Sequence, residues 1–248
     1  MKKSALNYLL ITALALIVVT LTSCNSKGSG ELGNSSVKLL ESMTTTETSG
    51  HSYTQKFEYD DKNRIVKIQD NHHSEVLIIT YEGDDLGFYA AQWGGENVER
   101  QGNTIRTGRN DEKVTITLND AGYIVKIKSE NSEWKAVALT TYFYQDGNLM
   151  KTETQRTLGK EKDGWTEEFK YDGKKSPFFH CNTSKWFLHW YFITGFDNNV
   201  VECKDSDGIV KTYQYEYDSD GFPTKQTMIE KRSDGTKSTT ITTFRWFC

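Results

Sequence analysis

Phe57-Glu58-Tyr59-Asp60-Asp61-Lys62-Asn63-Arg64-Ile65-Val66-Lys67-Ile68 is a strand, a turn and a returning strand written in one phrase. Aromatic and β-branched residues alternate with polar ones on either side of an Asp/Asn cluster whose members tolerate a left-handed backbone. The phrase recurs as Ile116-Thr117-Leu118-Asn119-Asp120-Ala121-Gly122-Tyr123-Ile124-Val125-Lys126-Ile127 and as Tyr142-Phe143-Tyr144-Gln145-Asp146-Gly147-Asn148-Leu149-Met150-Lys151. A fourth copy is Tyr215-Glu216-Tyr217-Asp218-Ser219-Asp220-Gly221-Phe222-Pro223-Thr224-Lys225, and a partial one begins at Phe169-Lys170-Tyr171-Asp172-Gly173. Strand-grade alternation also runs over Val76–Tyr81, Trp134–Thr141, Lys211–Tyr217 and Ser238–Phe247, with almost no helical periodicity between. An isolated hairpin cannot bury its apolar face, so these units must lie side by side. The expected fold is all-β: an antiparallel meander of about ten or more strands, curled or closed into a barrel because an open sheet of that size leaves two reactive edges.

One stretch breaks the pattern. Ser176-Pro177-Phe178-Phe179-His180-Cys181-Asn182-Thr183-Ser184-Lys185-Trp186-Phe187-Leu188-His189-Trp190-Tyr191-Phe192-Ile193 is the most aromatic run of the chain. Trp186, Trp190 and Ile193 fall at i, i+4 and i+7, which predicts one short helix or compact loop near 178–193, packed on or inside the barrel. Trp186, Phe187, Trp190 and Tyr191 form the candidate ligand surface; the competing expectation is a hydrophobic lid over one barrel end.

The first residues read as an address. Lys2 and Lys3 precede an apolar stretch from Leu9 to Leu21, too short for a comfortable span of about 20 residues and typical of a secretory signal. It ends Leu21-Thr22-Ser23-Cys24, which resembles the lipobox of bacterial lipoproteins, in which the cysteine is acylated, as by palmitate, and becomes the new N-terminus. The expected organisation is a signal peptide over 1–23, lipidated Cys24 with a Gly/Ser/Asn-rich tether over 24–36, and one β-domain over 37–248. Removing Lys2 and Lys3 with the signal takes the formal net charge from −4 to −6. An acidic balance argues against a duplex nucleic-acid partner, which is met by a basic face. The 13 Tyr, 12 Phe and 6 Trp argue against disorder, and 2 Pro with 19 Gly exclude collagen-like or proline-rich classes.

Export permits disulfides, and with Cys24 committed to lipid the chain has Cys181, Cys203 and Cys248 left: one bridge and one leftover. Cys203 and Cys248 lie in strand-like stretches and are the candidate pair, though connectivity does not follow from sequence. His180, Cys181, His189 and Cys203 lack the paired spacing of a structural zinc site. Asp205-Ser206-Asp207-Gly208 and Asp218-Ser219-Asp220-Gly221 hold spaced carboxylates but lack the later ligands of a calcium loop, so hairpin turns are expected there. His72-His73 with Glu75 reads as a solvated turn. No Gly-x-Ser-x-Gly elbow, supported Cys nucleophile or phosphate loop occurs. The carboxylate pairs Asp60-Asp61, Asp84-Asp85 and Glu167-Glu168 are of the kind that any acidic chain offers. No catalytic residue, metal or cofactor is therefore expected.

The Tyr-Asp phrases, Tyr171-Asp172-Gly173-Lys174-Lys175-Ser176-Pro177-Phe178, Asn198-Asn199-Val200 and the closing Tyr215 to Lys225 together resemble an uncharacterised family of Bacteroides-type lipoproteins, a domain of unknown function with a porin-like β-barrel fold. The likeness runs from about Ser36 to the C-terminus and brings no functional residues with it. The phrases are also similar to the YD repeats of bacterial surface proteins, but only Arg64 follows the Gly-Arg pairing of those repeats. A porin proper needs an apolar, lipid-facing band on essentially every strand. Thr239-Thr240-Ile241-Thr242-Thr243 and Gln214 with Glu216 argue against one, so a water-exposed barrel tied to a membrane is expected. The resulting expectation is an outer-membrane lipoprotein, non-enzymatic, binding or scaffolding an envelope partner. A carbohydrate-binding lipoprotein of a glycan-uptake system is the second reading, carried by Trp93, Trp134, Trp165, Trp186 and Trp190. Asn25-Ser26-Lys27-Gly28-Ser29-Gly30 carries no acidic patch, which favours the periplasmic leaflet.

Overall fold

A computed structural model describes residues 37–72, 75–91, 94–108, 111–192 and 197–247. The signal peptide, Cys24, the tether, His73, Trp93, Ile193 and Cys248 lie outside the described residues. The strands, in chain order, are β1 (Leu40–Glu47), β2 (Ser52–Tyr59), β3 (Ile65–Asp70), β4 (Glu75–Glu82), β5 (Asp85–Ala91), β6 (Gly94–Asn97), β7 (Glu99–Gln101) and β8 (Thr104–Thr107). There follow β9 (Glu112–Leu118), β10 (Ile124–Asn131), β11 (Ala136–Gln145), β12 (Asn148–Leu158) and β13 (Glu161–Lys175). After the helix α1 (Lys185–Phe192) come β14 (Asn198–Asp205), β15 (Val210–Tyr217), β16 (Pro223–Lys231) and β17 (Lys237–Trp246).

The fold is the expected antiparallel meander, with 17 strands in one sheet. All sequence neighbours but one pair, and β1 pairs with both β2 and β17, so the two ends of the meander meet. The ring of ladders is complete except between β6 and β7. These are consecutive stretches of one segment joined at Val98; the first bonds to β5 and the second to β8. The Val98 amide donates to Gly87 O at 2.9 Å, so the segment bridges the seam and leaves a nearly closed barrel with little free edge.

The repeated phrase has a local cause. Asp60, Asn119, Asp205 and Asp218 each open a turn in which one side-chain oxygen accepts two backbone amides, from residues two and four positions on. Asp60 Oδ1 takes Lys62 N at 3.0 Å and Arg64 N at 2.9 Å, and Asp218 Oδ1 takes Asp220 N at 3.0 Å and Phe222 N at 2.9 Å. Asn119 and Asp205 repeat the pattern. The fourth residue is left-handed: Asn63 at φ 62°, Gly122 at 80°, Gly208 at 85° and Gly221 at 82°. A type I turn followed by such a residue makes a bulged three-residue hairpin loop, which explains both the spacing and the Gly or Asn. The third copy differs, since Asp146 and Gly147, at φ 50° and 77°, form a two-residue type I′ turn. The partial copy makes no hairpin: β13 continues through Asp172-Gly173 to Lys175.

Alternation sorts the side chains between two faces. Outward positions carry charge and hydroxyls, with ion pairs Lys67–Glu58 (2.7 Å), Lys128–Glu130 (2.8 Å), Lys151–Glu153 (2.8 Å) and Lys225–Glu216 (2.8 Å). On β15, Tyr213, Tyr215 and Tyr217 are half-buried while Thr212, Gln214 and Glu216 are exposed. Each Lys or Arg in a lipid-facing band would cost about 2–4 kcal/mol at the bilayer midplane. The outer surface of this barrel is therefore suited to water.

The aromatic run enters the barrel. Consecutive Trp186, Phe187, Leu188 and His189 are all buried, as in a helix surrounded on every side. Phe187 meets Tyr89 of β5, Phe192 meets Phe57 of β2, and His189 meets Tyr142 of β11, at ring-centroid distances of 5.4, 5.8 and 5.2 Å. Three separated parts of the wall thus touch one helix, which makes α1 an interior plug.

Candidate functional site

The plug is held at its entry by bonds to the hairpin turns. Asn182 N donates to Asn63 O at 2.9 Å, Asn182 Nδ2 to Lys62 O at 2.8 Å, and the Ile65 amide donates to Thr183 Oγ1 at 2.7 Å. Lys185 Nζ reaches the Tyr123 hydroxyl at 2.5 Å, and His180 Nδ1 accepts the Lys38 amide at 2.9 Å. The exit is tied at Asp172. Its carboxylate accepts the Tyr217 hydroxyl and the Asn199 amide nitrogens, and Asn199 Nδ2 also donates to Lys175 O at 3.1 Å. Burial and the Asp172 carboxylate together push the Tyr217 phenol above its ordinary range.

Between α1 and the wall of β10 to β13 lies a cavity of about 250 Å³. Its lining includes Tyr142, Thr152, Thr154, Trp165, Glu167 and Trp190, with His189 beside them. Thr152 Oγ1 donates to Glu167 Oε2 at 3.1 Å, and the Thr140 and Thr154 hydroxyls bond at 3.0 Å. Among the described residues Glu167 makes no ion pair with a Lys, Arg or His side chain. Tyr89, which meets Phe187 of the plug, donates its hydroxyl to Glu96 Oε2 of β6 at 2.6 Å, where Thr107 Oγ1 also donates at 2.9 Å. The plug thereby packs on a ring that is bonded to the bridging segment. Burial pushes the His189 imidazole down to about 4, so it is neutral at physiological pH. Burial, and then Glu167, push the Cys203 thiol up to about 11, so it is no nucleophile near neutrality.

The structure disperses most of the residues singled out in the sequence. Of the four in the candidate ligand surface, Phe187 is 0% exposed and Trp186 2% exposed, so both are packing residues; Tyr191 stacks on Phe187 at 5.9 Å, and Trp190 alone lines this cavity. Trp186 borders a separate polar cleft of about 350 Å³ at the plug's entry, with Asp84, Asp85, Arg100 and Lys185. Trp165 joins Trp190, whereas Trp134 stands apart at 68% exposure. Cys203 and Cys181 are free thiols, and Cys248, the other half of the candidate bridge, lies outside the described residues. The carboxylates of Asp205 and Asp218 serve their own turns. His72 Nδ1 lies 2.8 Å from His51 Nε2 at neighbouring hairpin tips. Among the described residues no group of three or more His, Cys, Asp or Glu could hold a metal.

Glu167 and Glu168 pair with Thr152 and Lys151 respectively, on opposite faces of β13, and so cannot act on one substrate together. Asp84 is engaged by Lys62 at 2.7 Å and Asp85 by Arg100, while Asp60 is part of a turn. Sequence reading missed the inward set Tyr142, Thr152 and Thr154, and it took Glu167 only as half of a carboxylate pair. The usable signal was the alternation itself, Thr152-x-Thr154 opposite Trp165-x-Glu167, once the pairing of β12 with β13 is known.

The chain is similar in fold to two solved structures. A porin-like protein from Bacteroides vulgatus aligns with a TM-score of 0.52 at 12% identity, covering 84% of this chain and 98% of that one. A porin-like protein from Bacteroides uniformis aligns with a TM-score of 0.41 at 14% identity, covering 84% and 96%. No family model and no curated protein matches the chain. The class defined is a porin-like β-barrel fold, here with a water-suited exterior and an internal plug.

Proposed function

We propose that this protein is a lipid-anchored envelope lipoprotein, held at the outer membrane through Cys24, whose plugged barrel is a non-enzymatic binding or scaffold module. The observation that carries this reading is the charged and hydroxylated outer face of a porin-like barrel, which calls for an attachment other than the barrel wall. The Leu21-Thr22-Ser23-Cys24 sequence supplies one, since several acyl chains at about 0.8 kcal/mol per buried CH₂ anchor a protein stably. The non-acidic tether favours the periplasmic leaflet, and digestion of the barrel on intact cells by added protease would count against that orientation. A carbohydrate partner is supported by Trp165 and Trp190 sharing one cavity. The anchor is tested by metabolic labelling with a palmitate analogue and Triton X-114 phase separation. Cys24→Ser should abolish the label and move the protein into the aqueous phase. Retention of that variant in the detergent phase would mean that the barrel itself holds the membrane.

A further inference from the structure

We infer that the cavity between α1 and the β10–β13 wall binds a small organic cation, an amine or quaternary ammonium group, with Glu167 as its counter-ion and Tyr142, Trp165 and Trp190 as its aromatic walls. This deepens the reading of the barrel as a binding module and rests on it. Glu167 points inward, since its neighbours across the ladders, Thr152 and Asp205, share its face while Glu168 takes the other. It is half-buried and receives a hydroxyl from Thr152. The nearby cations are engaged elsewhere: Lys211 with Glu230 at 3.8 Å, and Arg156 with Asp163. His189, neutral in its buried position, adds no positive charge.

A carboxylate that shares a cavity with three rings and holds one neutral donor offers an ion pair to a ligand that brings positive charge. The same rings present negative faces to a cation, and Trp165 already has the Arg156 guanidinium 5.8 Å from its centroid. A neutral ligand would form no ion pair with Glu167. The volume of about 250 Å³ equals roughly eight water-sized volumes, which suits an alkylammonium of choline's size. Tyr142, Trp165, Glu167 and Trp190 are each half-buried, so the wall is open to an incoming ligand.

The test is isothermal titration calorimetry on the full-length chain in detergent, with four probes: choline, n-butylammonium, 3,3-dimethylbutan-1-ol, the uncharged isostere of choline, and glucose. Saturable binding of at least one cation is expected, about tenfold tighter than the isostere, with Glu167→Gln erasing that difference while the Tm holds. Equal affinity for choline and its isostere in the unaltered protein overturns the proposal without any variant, as does a Glu167→Gln protein that binds choline unchanged. Heat from glucose but from neither cation also overturns it and leaves the binding-module reading standing. Silence toward all four probes counts against both.

Discussion

The walls β2 to β10 and β11 to β17 are built from the same hairpin phrase and close the same ring, yet their inward faces are different materials. The first presents Ile65, Ile68, Leu77, Ile79, Ile105 and Ile116, all buried in one large cluster with Trp186, Phe187 and Leu188 of the plug. The second buries the smaller cluster Leu149, Phe169 and Cys203, and its inward positions also carry tyrosines, Trp165, Glu167 and the buried hydroxyls of Thr152, Thr154 and Thr242. The turn chemistry is common to both. The difference teaches that the hairpin grammar sets the ladder, whereas the inward residue is chosen by what the wall faces: aliphatic against the plug, hydroxyl and phenol where the cavity lies.

Deleting one ring from each side should separate the two. Phe187→Ala removes a side chain with no exposure from the centre of the larger cluster and should cost ~3–5 kcal/mol in urea unfolding. Phe169→Ala, in the three-residue cluster, should cost ~3 kcal/mol or less. Equal costs would mean that the two walls are packed alike.

The next effect is a pH dependence sited where plug meets cavity. Unfolded, the His189 imidazole takes a proton below about 6.5; folded, burial holds it neutral down to about 4. The unfolded state therefore binds more protons in that window, so stability is full above it and falls as pH drops through it, by ~3 kcal/mol in all. His189→Gln should flatten this segment of a stability-against-pH curve recorded by chemical denaturation. A variant with the unaltered protein's slope would place the titration elsewhere.

The smallest effect tests what the two walls share. Burial opposes ionisation of Asp60 and Asp218, but the bonds from Arg64 and Lys38, with those from the turn amides, hold both carboxyls below their ordinary range. Their contribution is thus complete above about pH 4 and is lost as pH falls further. Asp60→Ala and Asp218→Ala should each cost ~1–2 kcal/mol at neutral pH, alike on the two walls, because each leaves two turn amides without an acceptor. Unequal losses, read by thermal melts, would mean that the turns depend on their wall after all.

The hairpins were legible because each closes within a few residues: an Asx oxygen, its own amides and a Gly or Asn that accepts positive φ. The helix was legible in its place, since Lys185–Phe192 lies inside the 178–193 stretch, with Trp186 and Trp190 both in it. Its surroundings were not. Phe187, off the i, i+4, i+7 stripe, is the most buried of its aromatics, because a helix enclosed by a barrel has no outer face to mark. Asp172 reads as one more turn but is bound by Tyr217 and Asn199, residues far along the chain. Glu167 and Glu168 read as a pair and face opposite ways, a separation that strand geometry imposes only once a strand is assigned there.

The sequence by itself determined an all-β meander, its turns and the polar outward residues, since these rest on period-two alternation and contacts a few residues apart. It also carries the lipobox-like Cys24, a linear signal. Only the tertiary structure decided that Leu40 lies opposite Trp246, that Val98 bridges the seam, and that the aromatic run fills the barrel while leaving a cavity beside Glu167. Those contacts join residues up to 206 positions apart. Their partners are fixed by ring closure and packing, and no local pattern encodes which inward face will meet the plug.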